Sequence, residues 1–476
     1  MRKQLFINGN WIDGEVYREL FSPFSHEKIA EIPVATMGQV EEAIDAAEKN
    51  QYKIAFMPLF ERAYILNGVA DLLEKNREKA AKLISLEAAK PLKTALVEVD
   101  RTVETYKFAA EEAKRIHGKM IPMDAAKGGM NRLGYTIQEP VGVIGAITPF
   151  NFPMNLVAHK IGPAIAAGNS LILKPAEQTP LSAYYVAELF EEAGLPKGVL
   201  NVVTGKGSII GNQIVTNDKV KMITFTGSPR VGKEINVKAG LKKVSLELGS
   251  NAGLLVDQHT NLDEIAKSSV VGAFSNQGQI CISLQRIYVM QDVYEEFVKK
   301  FIAETKKLTI GDPLDGQTDV SALITKADVD RSLSWIEEAK SEGAKVLVGG
   351  YEKEGILLPT ILTDVKTTSN VSSQEVFAPI VTVSSIKTID EGIHLINDSK
   401  YGLQAGIFTN DIQTALDASK KLEVGGVIIN DIPTFRVDQM PYGGVKESGN
   451  TKEGIKYAIE EMTNTKLVVW NQKNTL

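Results

Sequence analysis

Cys281 is the only cysteine in a chain of 476 residues, and it sits in the segment NQGQICIS (276–283). A single cysteine cannot close an internal disulfide, which leaves packing or chemistry as its use. Packing would make it a small buried hydrophobe. Chemistry would make it a nucleophile, which needs access and a thiolate. Gly278 upstream permits a close backbone approach, and the segment follows a helix-like run that ends at Phe274. None of the five histidines forms a Cys-His protease signature with it, which argues against a papain-like hydrolase. A carboxylate could act as the base instead. Glu247 closes a strand-like run in LELGS (246–250), and a strand-end carboxylate facing a cleft suits that role. The plain alternative is an exposed loop carboxylate.

Three glycine patterns invite a nucleotide reading. In TGKGSIIG (204–211) the glycines at 205, 207 and 211 miss the GxGxxG spacing by one residue. GSPRVGK (227–233) resembles a phosphate-binding GxxxxGK loop, but Glu234 stands where a hydroxyl should hold magnesium. That argues against a P-loop NTPase. Glycine at a strand end followed by a helix still offers N–H groups to a phosphate. YGGVKESGN (442–450) reads as a tight turn. KPAEQTP (174–180) follows the strand-like SLIL, where open α/β sheets bind ligands. Lys174 and Glu177 could bond ribose hydroxyls there, or simply belong to a solvated loop.

The elements that must position these residues follow from periodicity. Two turn signals, Asn8-Gly9 and Asp13-Gly14, mark an opening hairpin. From about Val40 to Ile116 the pattern is helical. From Gly142 onward, short apolar runs such as VGVIGAI, VLNVVTG and KMITFTG alternate with helix-like stretches, the pattern of βαβ units and a parallel sheet. A second such series runs from VSLEL through RIYVM to VIIN (427–430). The reading is two α/β domains joined near 248–253, with a strand-like tail, TNTKLVVWNQ. Hydrophobic content of 43% with 24% charged residues is ordinary globular composition. The net charge of −6 disfavours nucleic acid or an anionic membrane as the main partner. No apolar run approaches the roughly 20 residues that span a bilayer, and no signal-peptide core forms. A cytoplasmic protein is expected.

Seven segments occur together in one order: TPFNFP (148–153), KPAEQTP, FTGS (225–228), LELGS, NQGQICIS, EVFAPI (375–380) and PYGGVKESGN (441–450). With FINGNWIDG (6–14) at the start, the chain resembles the aldehyde dehydrogenase superfamily over its whole length. The resemblance implies an α/β fold with a Rossmann-like NAD domain (1–120 and 141–248) and a catalytic domain (249–447). Strands at 121–140 and 460–476 would pair between subunits to make a homodimer or homotetramer. It implies that Cys281 attacks an aldehyde, with the oxyanion held by the Asn151 amide and the Cys281 N–H. Glu247 would activate water to hydrolyse the thioester, with Lys160 near that proton relay. Thr148, Lys174, Glu177, Gly207, Gly227, Ser228, Glu375 and Phe377 would bind NAD. Glu177 favours NAD over NADP, because a carboxylate repels a 2′-phosphate, although NADP can be accommodated. No metal is implied.

Ser250 departs from the family's usual LELGG, and NLVAHKIGP (155–163) and FRVDQMPYGG (435–444) resemble the branch of lactaldehyde and non-phosphorylating glyceraldehyde-3-phosphate dehydrogenases. Ile280 and Ile282 would line the aldehyde tunnel, as would His159 and Arg436. Arg436 would either bind an anion on the substrate or pair internally with Asp438 or another acid. The expected reaction is oxidation of a short, polar, anionic aldehyde, such as lactaldehyde, sulfolactaldehyde, glyceraldehyde 3-phosphate or succinate semialdehyde. A CoA-acylating enzyme and a non-catalytic binding protein are the rival readings.

Overall fold

The computed structural model describes residues 1–472. Asn8-Gly9 turns the chain between Leu5–Ile7 and Asn10–Ile12 with both residues at positive φ, 53° and 69°. Left-handed residues at both turn positions match the twist of the flanking strands. Four helices follow, Met37–Ala55, Leu59–Lys75, Arg77–Ala88 and Leu92–Ala113. The first begins with a reciprocal cap between Thr36 and Gln39.

A seven-stranded sheet is built from Lys243–Glu247, Val220–Thr226, Val143–Ile147, Ser170–Lys174, Leu200–Val202 and the opening hairpin, in that order. Its first five strands are parallel. The chain moves outward from Val143–Ile147 in one direction and then restarts on the other side with Val220–Thr226. Ligands of open α/β sheets bind at the carboxyl ends beside such a reversal. Thr148, Lys174, Gly227 and Glu247 all stand at those carboxyl ends.

A second seven-stranded sheet runs Lys345–Val348, Thr360–Thr363, Ile380–Ile386, Arg286–Met290, Gly253–Val256, Gln404–Phe408 and Gly426–Ile429. It is parallel except for its first pair. The segments entering two of its strands, 275–285 and 372–379, carry Cys281 and Glu375. The amino edge of this sheet therefore meets the carboxyl edge of the first, and the site lies in that seam. Among the described residues, no helix is long and apolar enough to cross a membrane.

Arg132–Pro140 and Thr463–Asn471 pair with each other within the chain, antiparallel, over their full length. Met120–Ile121 adds a third strand on the other side of Arg132–Pro140. Thr463–Asn471 is therefore an edge strand of this sheet. The last part of the 460–476 segment, 473–476, lies outside the described residues.

Candidate active site

The loop that carries Cys281 is held by its own amides. Asn276, Gln277 and Gly278 are consecutive left-handed residues, with φ of 49°, 56° and 70°. At Gly278 a side chain would collide with the Ala378 carbonyl, 2.2 Å from where Cβ would sit. The non-glycine pair is costly and persists because surrounding contacts over-determine it. Gln277 Nε2 donates to the carbonyls of Ala89 and Ala322, each at 2.9 Å. Gln279 Oε1 accepts from the Ile324 N–H at 3.1 Å. Asn276 Nδ2 donates to the Asn151 carbonyl (3.1 Å), and Asn151 Nδ2 returns a bond to the Gln279 carbonyl (2.9 Å). These reciprocal amides explain the composition of NQGQ and fix Asn151 against the cysteine loop. The other Asn151 amide hydrogen has no acceptor among the described residues. The Cys281 N–H donates to no protein acceptor among the described residues. Two free donors so placed can receive an oxyanion.

Glu247 ends its strand fully buried, and neither carboxylate oxygen has a hydrogen-bond partner among the described residues. Gly443 makes room for it, since a Cβ there would stand 2.7 Å from Glu247 Oε1. Burial pushes its pKa well above the carboxylate range, and the nearby charge of Glu453 adds to that. Lys160 does not touch Glu247 directly. Its Nζ bonds Glu453 Oε1 at 2.8 Å, and Arg436 Nη2 bonds Glu453 Oε2 at 2.9 Å. Against its burial, those two cations hold Glu453 well below the usual carboxylate range. Of the pair, the surroundings favour the charged form of Glu453 and the protonated form of Glu247.

Cys281 opens into a cavity of about 290 Å³ whose wall includes Arg101, Phe152, Ile280, Ile282, Arg436 and Tyr442. Arg436 pairs with Glu453 rather than Asp438, and its Nε is buried without a hydrogen-bond partner among the described residues. Asp438 is taken by others. Arg101 grips it through two bonds (2.7 and 3.1 Å), and Asn155 and His159, one helical turn apart, both reach its Oδ1. His159 is fully buried and is not among the residues lining the cavity, contrary to the expected tunnel position. Burial and the Arg436 charge lower its pKa. Since His159 Nε2 must donate to Asp438, the approach of Arg436 Nη2 at 3.3 Å joins two donors and is not a hydrogen bond. Lys90 pairs with Glu98 in the same wall. Lys90, Lys160 and Arg436 thus pair with Glu98 and Glu453, and Arg101 with Asp438.

On the first sheet's side the groups suit a dinucleotide. A second cavity of about 280 Å³ is bounded by Ile147, Gly207, Gly211, Val215 and Phe225, an apolar slot able to take a planar base. Lys174 is buried with its amine bonded to the Pro175 carbonyl, and burial lowers its pKa to about 8. Thr148 Oγ1 is buried without a hydrogen-bond partner among the described residues. Gly227 leaves space that a Cβ would fill against the Phe225 ring, and Ser228 caps the helix Pro229–Lys238. Glu375 accepts from the Ser250 N–H at 3.0 Å, and burial raises it to about 7. Gly249 leaves room for it, since a Cβ there would press on the Glu375 carboxyl at 2.3 Å. Phe377 packs edge-on against Phe150, with centroids 5.7 Å apart. Glu177 Oε1 faces the Gly207 N–H at 3.4 Å.

Three members of this constellation escape sequence reasoning: Arg101, Tyr442 and Glu453. Arg101 lies on the amphipathic helix Leu92–Ala113 and reads as a surface charge. Tyr442 falls inside PYGGVKESGN, and Glu453 three residues beyond it, yet only the fold brings that loop against Glu247.

Comparison with known proteins agrees with this geometry. A family model described as the aldehyde dehydrogenase family matches residues 11–468. A 3-sulfolactaldehyde dehydrogenase of Priestia aryabhattai is 49% identical over 467 residues, covering 98% of each chain. Among solved structures, aldehyde dehydrogenase 21 from Physcomitrella patens, in complex with the reaction product succinate, superposes with a TM-score of 0.97. It is 36% identical, over 100% of this chain and 99% of that one. Glyceraldehyde-3-phosphate dehydrogenase GapN from Methanocaldococcus jannaschii, complexed with NADP, gives a TM-score of 0.92 at 40% identity, over 96% of this chain and 100% of that one. With the matched sequence, the superposed fold and the thiol-bearing seam in agreement, the chain belongs to the aldehyde dehydrogenase family.

Proposed function

We propose that the protein oxidises a short anionic aldehyde to its carboxylic acid with NAD or NADP, through a covalent adduct on Cys281. The observation that carries the anionic part is the cavity wall beside Cys281. It holds Arg101 and Arg436, and the buried Arg436 Nε has no hydrogen-bond partner among the described residues. A buried N–H without a partner is unfavourable until an acceptor satisfies it, and guanidinium groups bind oxyanions through two oxygens. Of the similar proteins described above, one is named for 3-sulfolactaldehyde, one holds succinate as its reaction product and one is named for glyceraldehyde 3-phosphate. Sulfonate, carboxylate and phosphate are all anions, which supports the reading.

The chemistry follows from the residues. The Cys281 thiolate attacks the carbonyl carbon, forming a C–S bond, and the carbonyl electrons move to oxygen. That oxyanion rests against the Asn151 amide and the Cys281 N–H. NAD or NADP would lie along Thr148, Lys174, Glu177, Gly207, Gly227, Ser228, Glu375 and Phe377, and supplies a hydride acceptor when bound. With the hydride gone, the acyl group stays on Cys281 as a thioester. Glu247 then takes a proton from water, whose oxygen attacks the thioester carbon, and the C–S bond breaks to return the thiolate. Lys160 and Glu453 set the charge beside Glu247. A buried carboxyl kept for water activation favours hydrolysis over transfer to CoA. Arg18 donates to the Glu177 carbonyl, and its charge lies near that carboxylate. It offsets the repulsion of a 2′-phosphate, so both dinucleotides are admitted.

The test compares kcat/KM for lactaldehyde and sulfolactaldehyde in the wild type and in Arg101→Met. One desolvated contact to an anion is worth about 1.5–3 kcal/mol, so the wild type should prefer the sulfonate by about tenfold to a hundredfold. Arg101→Met should lose most of that preference with little change for lactaldehyde. Equal rates in the wild type would mean that the arginines only satisfy Asp438 and Glu453.

The same reading divides the chain into an NAD(P)-binding unit (1–120 and 141–248) and a catalytic unit (249–447), and places it in a reducing compartment such as the cytoplasm, where a nucleophilic thiol survives. Self-association would use the edge strand Thr463–Asn471, where Leu467, Val469 and Trp470 are exposed. An open apolar edge is a template for pairing, which supports a homodimer or homotetramer. Leu467→Glu combined with Val469→Glu should then reduce the native mass to that of a monomer by light scattering. An unchanged mass would place the contact elsewhere.

A further inference from the structure

Tyr442 stands at the thiol itself. Its Oη lies 2.7 Å from Cys281 Sγ. The tyrosine is fully buried, and its hydroxyl has no other hydrogen-bond partner among the described residues. A buried hydroxyl proton goes to an acceptor, so the O–H donates to sulfur. The Arg436 guanidinium lies over the Tyr442 ring at 3.8 Å from its centroid. A cation on the ring face draws on its electron density and makes the hydroxyl a stronger donor.

We propose that Tyr442 is a catalytic residue: its hydroxyl donates to Cys281 Sγ, stabilising the thiolate before attack and again when it departs from the thioester. The proposal rests on the assignment of Cys281 as the nucleophile. Cys281 has no imidazole to pair with, since His159 is committed to Asp438. Burial pushes the thiol up to about 11. Of the groups that face it, Tyr442 and Arg436 pull it down, and Glu375 and Glu247 push it up. The groups facing Tyr442 are Cys281, Arg436 and Glu247. Tyr442 is therefore the direct donor to the sulfur, with Arg436 acting through it.

The electron count is simple. On ionisation the thiol proton leaves to solvent through the cavity, and the phenol keeps its own. In attack the sulfur lone pair becomes the C–S bond, and the charge moves to the carbonyl oxygen. In hydrolysis that electron pair returns to sulfur, where the same O–H receives it. A phenylalanine at this position would fill the space but could serve neither step.

Because the chain has a single cysteine, alkylation by iodoacetamide reports on Cys281 alone. The experiment follows its rate against pH in the full-length protein. Tyr442→Phe should raise the midpoint by about one pH unit, a rate about tenfold slower below both midpoints. The first transient of reduced dinucleotide should slow by a similar factor and recover at high pH. The protein carrying 3,5-difluorotyrosine at 442 keeps the fold and holds a more acidic phenol, so its midpoint should fall. A Tyr442→Phe profile and transient that superimpose on the wild type would overturn the proposal. Should that variant fail to fold, an unmoved midpoint in the fluorinated protein would overturn it instead. Turnover that survives in Cys281→Ala would remove the nucleophile assignment, an outcome distinct from a null effect at Tyr442.

Discussion

Replacing Cys281 with alanine is expected to reduce aldehyde oxidation by a factor of about 10⁴ or more, because removing a nucleophile that works with its partners as a unit abolishes the covalent route. No second thiol exists in the chain to substitute for it. The loop should keep its shape, since Gln277 and Gln279 hold it through carbonyl and N–H groups that the substitution leaves alone. Dinucleotide binding, followed by fluorescence, should therefore change little. A kcat within tenfold of the wild type would show that the sulfur is packing and that the cavity serves another nucleophile.

Glu247→Gln is expected to separate the two halves of the reaction. Glutamine keeps the shape but cannot take a proton from water. A rapid transient of reduced dinucleotide, about equal to the enzyme present, should be followed by a steady rate lower by about 10²- to 10⁴-fold. The pH dependence has a definite sign. Burial and the neighbouring charge of Glu453 raise the Glu247 pKa, so the base form exists only above that raised value. Steady turnover of the wild type should rise with pH through it. The glutamine variant should lack that rise. A variant that turns over at the wild-type rate would assign the base elsewhere.

What the sequence discloses depends on whether a residue's role is local. The strand and helix periodicities, the Asn-Gly hairpin and the strand-end positions of Lys174, Gly227 and Glu247 are local, and the two sheets carry them where the pattern implies. The pairing of charges is not. Arg436 lies two residues from Asp438 in sequence, yet its partner is Glu453, while Asp438 turns to Arg101, far along the chain. Proximity in sequence misleads here because both acids are buried, and each must be satisfied by whichever donors the fold brings near. His159 and Lys160 show the same limit. Adjacent on one buried helix, they point to different acids, and nothing in NLVAHKIGP says which side faces the cavity. The terminal strands are legible as strands that belong together, and Thr463–Asn471 lies beside Arg132–Pro140, but their register is not, because a strand edge carries no address for its partner.

The most direct measurement is the intact mass of Glu247→Gln shortly after mixing with NAD and sulfolactaldehyde. The account predicts one added acyl group per chain, the mass of the aldehyde less two hydrogens, recovered on the peptide that contains Cys281. An unmodified chain that has nevertheless formed reduced dinucleotide would contradict it, because oxidation would then proceed without the thioester on which every other step depends.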